Sequence, residues 1–140
     1  MRATYFKLRR VNMKNIKFTE QLDETDCAPA CLSMILNYYG KKVSNTKLRD
    51  YTKTDKNGTS IYGISQGCKK LGLDTNAFEL DSIEELEELK VPMIAHVLND
   101  MNYEHYVIIE KFDDNFITIV DPAKGKNKIK VEEFKKSGLK

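Results

Sequence analysis

Thr25-Asp26-Cys27-Ala28-Pro29-Ala30-Cys31-Leu32 joins an acidic, turn-forming stretch directly to an apolar run with helical spacing. Asp26 suits an N-cap, where a carboxylate can accept a bond from an unpaired amide of the first turn. Pro29 is tolerated in that turn, because its missing N–H would have had no helical partner. Cys31, Met34, Ile35 and Tyr38 recur on one helical face, and Gly40 suits a left-handed stop. Cys27 therefore stands at the positive end of a helix that is otherwise a core element. Such an end favours thiolate over thiol, and the thiolate is the nucleophile. Cys31 falls one turn deeper on the apolar face, and Cys68 lies in the later stripe Ile61, Ile64, Cys68, Leu71. Both read as small buried hydrophobes. A zinc site is a poor rival, since no paired Cys-x-x-Cys or His-x-x-x-His element completes a tetrahedral set.

The length of 140 residues fits one domain with a real core. A net charge of +2 is too weak to argue for a nucleic-acid partner. The excess is local: Arg2, Lys7, Arg9, Arg10, Lys14 and Lys17 crowd the start and read as a solvated arm. Residues 1–14 are accordingly read as a basic extension and 15–140 as the folded domain. Met13 offers an alternative start, which would make residues 1–12 an upstream extension. No apolar run approaches a membrane span, and the basic start lacks the hydrophobic stretch of a signal peptide. Three cysteines without an export signal suggest a reducing compartment and no disulfide framework.

The spacing predicts a first helix over 27–39, a second after Ser44, and a third from Thr59 or Ser60 to Gly72. Residues 16–18 could form a short strand, and 73–80 read as extended. Ser82-Ile83-Glu84-Glu85 is a capping box before a short helix that Val91-Pro92 ends. Strands are expected over 93–98, 106–112, 116–120 and 126–131, then a helical turn at 132–136. Helices first and an antiparallel sheet second is an α+β pattern. Its natural cleft lies between the two halves.

A nucleophilic cysteine needs a base, and the base needs an orienting acceptor. His96 is mid-strand between Ala95 and Val97 and reads as a packed histidine. His105 stands where a polar turn gives way to a strand, so its ring can reach a cleft mouth. A three-residue turn over 113–115 would pair Phe112 with Phe116 and Val107 with Asp121. His105 and Asp121 are then diagonal neighbours on one face, within side-chain reach. A two-residue turn would put them on opposite faces. Gln21, six residues before Cys27, can curl its amide back beside the sulfur as an oxyanion donor.

Gln21, the run DCAPACLSMI from Asp26, His105-Tyr106 before Val-Ile-Ile, and Asp121-Pro122-Ala123 together resemble one family. It is the cysteine peptidase domain at the N-terminus of peptidase-containing ABC transporters, which process and export bacteriocins and related peptides. The resemblance spans about residues 15–135. Ala28 stands where the family usually has glycine, and a small side chain is kept.

The resemblance implies a papain-like fold and cleavage of precursor leaders after a Gly-Gly pair. It implies Cys27 as nucleophile, His105 as base, Asp121 as orienter and Gln21 as oxyanion donor, with no metal and no cofactor. The implied partners are a precursor with a double-glycine leader and the transmembrane and ATP-binding domains of a transporter. The implied place is the cytoplasmic side of the bacterial cell membrane. The leader's apolar helix face would dock in a groove beside the cleft, with Tyr62, Gly63 and Tyr103 as candidate substrate contacts. Two other classes remain: a different cysteine acyl-transfer enzyme, which would show no Gly-Gly requirement, and a catalytically silent leader-binding module.

Overall fold

Cys27–Tyr38 forms helix α1, and nine of its residues are buried, so the apolar run is the centre of the helical half. The computed structural model of the chain describes residues 2–7, 15–88, 91–98, 101 and 103–138. Gly40, at φ +83°, ends α1 as its sequence implies, with the Lys41 N–H donating to the Leu36 carbonyl. Asn45–Thr52 forms α2 and Ile61–Lys70 forms α3. Their starts are set as expected, by the Ser44 and Ser60 hydroxyls accepting from the Lys47 and Gly63 amides. The expected capping box forms only in part: the Glu85 carboxylate accepts from the Asp81 amide at 2.8 Å and from the Ser82 amide at 3.5 Å, and Ile83–Glu88 winds as a 3-10 helix.

Among the described residues, six strands form one antiparallel sheet. They are β1 Arg2–Lys7, β2 Asp74–Glu79, β3 Met93–Leu98, β4 Glu104–Phe112, β5 Phe116–Asp121 and β6 Gly125–Lys130, in the order β2-β1-β3-β4-β5-β6. Helix α4, Val131–Gly138, follows β6. One core lies between the sheet and helices α1 to α3, built on Leu32, Ile35, Leu36, Leu48, Ile64, Ile94, Ile108 and Val120. The other face packs Met93, Ile109 and Ile117 against Leu86, Val131 and Phe134.

Two sequence expectations change here. Residues 2–7 are a strand within the sheet, not a solvated arm, and Ala3 and Thr4 are completely buried. Thr4, Tyr5 and Phe6 are strand-favouring residue types, but the surrounding cations mask them in the sequence. The expectation for Arg9, Arg10 and Lys14 falls outside the described residues. Residues 16–18, expected as a possible strand, take no regular structure.

The β4–β5 hairpin reaches the expected result by another route. Phe112 pairs with Ile117, not Phe116, because the turn is longer: the Asp113 amide and the Phe116 carbonyl close it. A bulge between Ile109 and Lys111 then absorbs one residue, and Ile108 pairs with Val120. The same register continued by one residue would set Val107 against Asp121. His105 and Asp121 keep the same parity after all.

Candidate active site

The chain approaches Cys27 through a tight acidic turn. Asp23 Oδ1 accepts from both the amide and the hydroxyl of Thr25, and the Asp23 carbonyl accepts from the Asp26 amide at 3.1 Å. The Asp26 carboxylate does not cap α1, contrary to its sequence reading. It is 2% exposed and pairs instead with the Arg49 guanidinium on α2, which also donates to Thr25 Oγ1. A buried carboxylate is better satisfied by an ion pair than by one amide, and the turn supplies no competing partner. The start of α1 is thereby bolted to α2. Sequence reading missed Arg49, because nothing local links it to a turn 23 residues earlier.

Strand β4 brings His105 to the same place. Its Nε2 lies 2.8 Å from Asp121 Oδ1, at the end of β5. The ring also lies near enough to Cys27 for the sulfur to bear on its charge. With Nε2 committed to Asp121, Nδ1 is the atom left to face the sulfur. Burial disfavours the imidazolium, but the Asp121 bond and the neighbouring Cys27 sulfur outweigh it and raise the His105 pKa to about 9. Burial likewise opposes charge on Asp121, yet the His105 bond and the Ala123 amide at 2.8 Å hold its pKa below the usual carboxylate value. The pair is arranged to keep an imidazolium beside an ionised carboxylate.

Gln21 joins them through the backbone. Its amide N–H donates to the Pro122 carbonyl at 2.8 Å, next to Asp121. Its side-chain Nε2 donates to the Asp23 carbonyl at 2.8 Å, so the amide lies against the turn that launches α1. One Nε2 proton remains uncommitted by that bond.

The other candidates separate cleanly. Cys31 is fully buried with Sγ 3.5 Å from the Tyr106 carbonyl, and burial lifts its pKa well above the usual thiol value. Burial pushes Cys68 up to about 12. Both stay protonated, as core thiols should. His96 stacks on Tyr106 at 4.5 Å, and burial lowers its pKa, as expected of a packed histidine. Tyr62 and Tyr103 are exposed. Gly63 is buried, and a Cβ there would sit 2.3 Å from the Thr52 carbonyl. The structure gives Gly63 a reason in α2–α3 packing and not in substrate contact. Among the described residues no cluster of His, Cys, Asp or Glu is built to hold a metal ion.

A sulfur on the leading helix and an imidazole on the facing sheet, oriented by a carboxylate, make this a papain-like cysteine peptidase domain. The chain belongs to the Peptidase C39 family, whose model matches residues 15–137. It is 40% identical over 121 residues to the lactococcin-G-processing and transport ATP-binding protein LagD of Lactococcus lactis subsp. lactis. It is 36% identical over 124 residues to the mesentericin-Y105 transport/processing ATP-binding protein MesD of Leuconostoc mesenteroides. Each match covers 86% of this chain and only 17% of the relative. Among solved structures, the peptidase domain of Streptococcus ComA, a bifunctional ABC transporter involved in a quorum-sensing pathway, superposes with a TM-score of 0.77. It is 30% identical, over 88% of this chain and 92% of that one. A double-glycine motif protease from an AMS/PCAT transporter, solved with the leader peptide, gives a TM-score of 0.79. It is 27% identical, over 94% and 93% of the two chains.

Proposed function

We propose that this chain removes the leader from a bacteriocin or related precursor by cutting after a Gly-Gly pair, as the peptidase part of an ABC exporter. The observation that carries the reading is His105 placed beside Cys27, with its Nε2 held 2.8 Å from Asp121 Oδ1. The named processing and transport roles of LagD and MesD, and the leader-bound double-glycine protease, support the substrate class.

In this reading Cys27 Sγ attacks the carbonyl carbon of the second glycine. A C–S bond forms, and the oxygen takes the negative charge. The free Nε2 proton of Gln21 and the Cys27 backbone N–H, unpaired at the helix start, are the donors for that oxyanion. The His105 imidazolium then gives its proton to the leaving amine as the C–N bond breaks. Water attacks the thioester, His105 takes its proton, and the sulfur leaves as thiolate. Asp121 stays ionised throughout and holds the ring. No step calls for a metal or a cofactor.

Exposed Tyr62 and Tyr103 remain candidate contacts for the leader, and exposed Leu22 beside Gln21 joins them. No helix among the described residues is long and apolar enough to cross a membrane. With three free cysteines, this supports a domain working at the cytoplasmic face of an exporter. The test is incubation with a synthetic double-glycine precursor, read by mass spectrometry. A single cut after Gly-Gly is expected, with none by Cys27→Ala. Equal cutting when the second glycine is replaced by valine would make the chain a general cysteine peptidase and overturn the double-glycine reading.

A further inference from the structure

Glu110 is the residue at the β4 bulge, and its carboxylate is buried, with the side chain 6% exposed. It points toward the helical side of the sheet, where it accepts from the Ile16 amide at 2.7 Å. Lys126 on β6 donates to the same carboxylate oxygen at 2.7 Å and to the Ile16 carbonyl at 2.9 Å. Both backbone polar groups of one residue in an irregular segment are thus held by one ion pair across two strands. Ile16 itself is 3% exposed and packs into the helical-side core.

That segment runs five residues further to Gln21. Along the way the Thr19 amide meets Met34 Sδ at 3.3 Å, and the Gln21 amide meets the Pro122 carbonyl. The strap carries no helix or strand of its own over 15–21. Its path is set by these few attachments, and the charged pair is the strongest of them. Gln21 Oε1 is buried without a hydrogen-bond partner. Little besides the Asp23 carbonyl and the run of the strap therefore orients that side chain.

We infer that Glu110 and Lys126 form a clamp on Ile16 that positions Gln21 as an oxyanion donor. They are positioning residues: neither touches the reacting atoms. The inference rests on the proposed role of Gln21. A buried carboxylate at a bulge is otherwise hard to account for, since a plain strand would place an apolar residue there. The bulge re-aims one side chain, and here it re-aims the one that grips the strap. The same bulge restores the register that brings Asp121 to His105, so one irregularity serves two attachments of the site.

The experiment is a mutant cycle with a synthetic double-glycine precursor, using Glu110→Gln, Lys126→Met, Gln21→Ala and the double variant Gln21→Ala/Glu110→Gln. Glu110→Gln keeps an acceptor for the Ile16 amide and loses the ion pair. A misplaced donor should lower kcat by roughly tenfold to a hundredfold with little change in KM. In the Gln21→Ala background the same substitution should cost nothing further. Iodoacetamide alkylation of Cys27 should keep its rate, because displacement of iodide builds no oxyanion. Cys27 retains 8% exposure while Cys31 and Cys68 have none, so the label reports Cys27. Lys126→Met, at a more exposed position, must reproduce the pattern and decides the matter if Glu110→Gln fails to fold. If Gln21→Ala leaves kcat unchanged, the reading of Gln21 fails and the clamp's role fails with it. If Gln21→Ala is defective but the losses add in full, or alkylation slows in parallel, the clamp alone is overturned.

Discussion

His105 and His96 lie one strand apart in opposite surroundings. His105 meets an ionised carboxylate and a sulfur, and its pKa rises to about 9. His96 meets an aromatic ring, and burial lowers its pKa. His105→Ala should therefore lose precursor cleavage to the level of Cys27→Ala, since members of one catalytic unit are not additive. His96→Ala should keep most of its rate, as measured by product formation under saturating precursor. Asp121 gives a pH test. Its bond favours the charged ring, so removing the negative charge lowers the His105 pKa. The alkaline limb of kcat/KM, expected near pH 9 in the parent, should move to lower pH in Asp121→Asn. A limb that stays in place would show that Asp121 does not hold the imidazolium. That His105 would meet Asp121 was legible in the sequence, because each sits in a short motif where chemistry restricts the choice. Glu110 was not. It reads as one acid in a β-branched strand, and the residue it grips is 94 positions away.

At the scale of elements, local signals predicted caps and stops well and contacts between elements poorly. Ser44, Ser60, Gly40 and Gly72 act within their own turns, and each does what its residue type implies. Asp26 was read by the same local rule and is used otherwise, because α2 brings a guanidinium that sequence spacing does not reveal. The hairpin teaches a related lesson. The turn is longer than the expected three residues, yet the bulge absorbs the extra residue, and His105 and Asp121 still meet across the two strands. The Asp26–Arg49 pair carries an element-scale prediction. Arg49→Met would leave a carboxylate that is 2% exposed without its counter-ion, at the start of α1. Unfolding in urea should show a loss of about 3 kcal/mol or more, as for other broken buried pairs. The double variant Asp26→Asn/Arg49→Met should recover part of it. If Arg49→Met alone is neutral, the pair is not what fixes α1 to α2.

At the scale of the whole molecule, the sheet and the family match divide the chain differently. The matched residues begin at 15, and they contain Gln21, Cys27, His105 and Asp121. Strand β1 lies before them, yet it sits between β2 and β3 and pairs with both. It contributes stability to a site whose groups it does not supply. A chain beginning at Met13 lacks β1, so β2 and β3 each lose a ladder and must expose or re-pair their backbone groups. β2 would then be held through its packing on α3. The groups around Cys27 keep every attachment described above, since α1, α2, β4, β5, β6 and the strap all remain. The truncated protein should therefore unfold at a lower urea concentration and with a smaller slope, because less surface is left to expose. Its cleavage rate per folded molecule and its Cys27 alkylation rate should match those of the full chain at low temperature. Unchanged unfolding would mean that residues 2–7 add nothing to the sheet. A cleavage rate that fell in the folded truncated protein would mean instead that β1 reaches the site through β3 and β4.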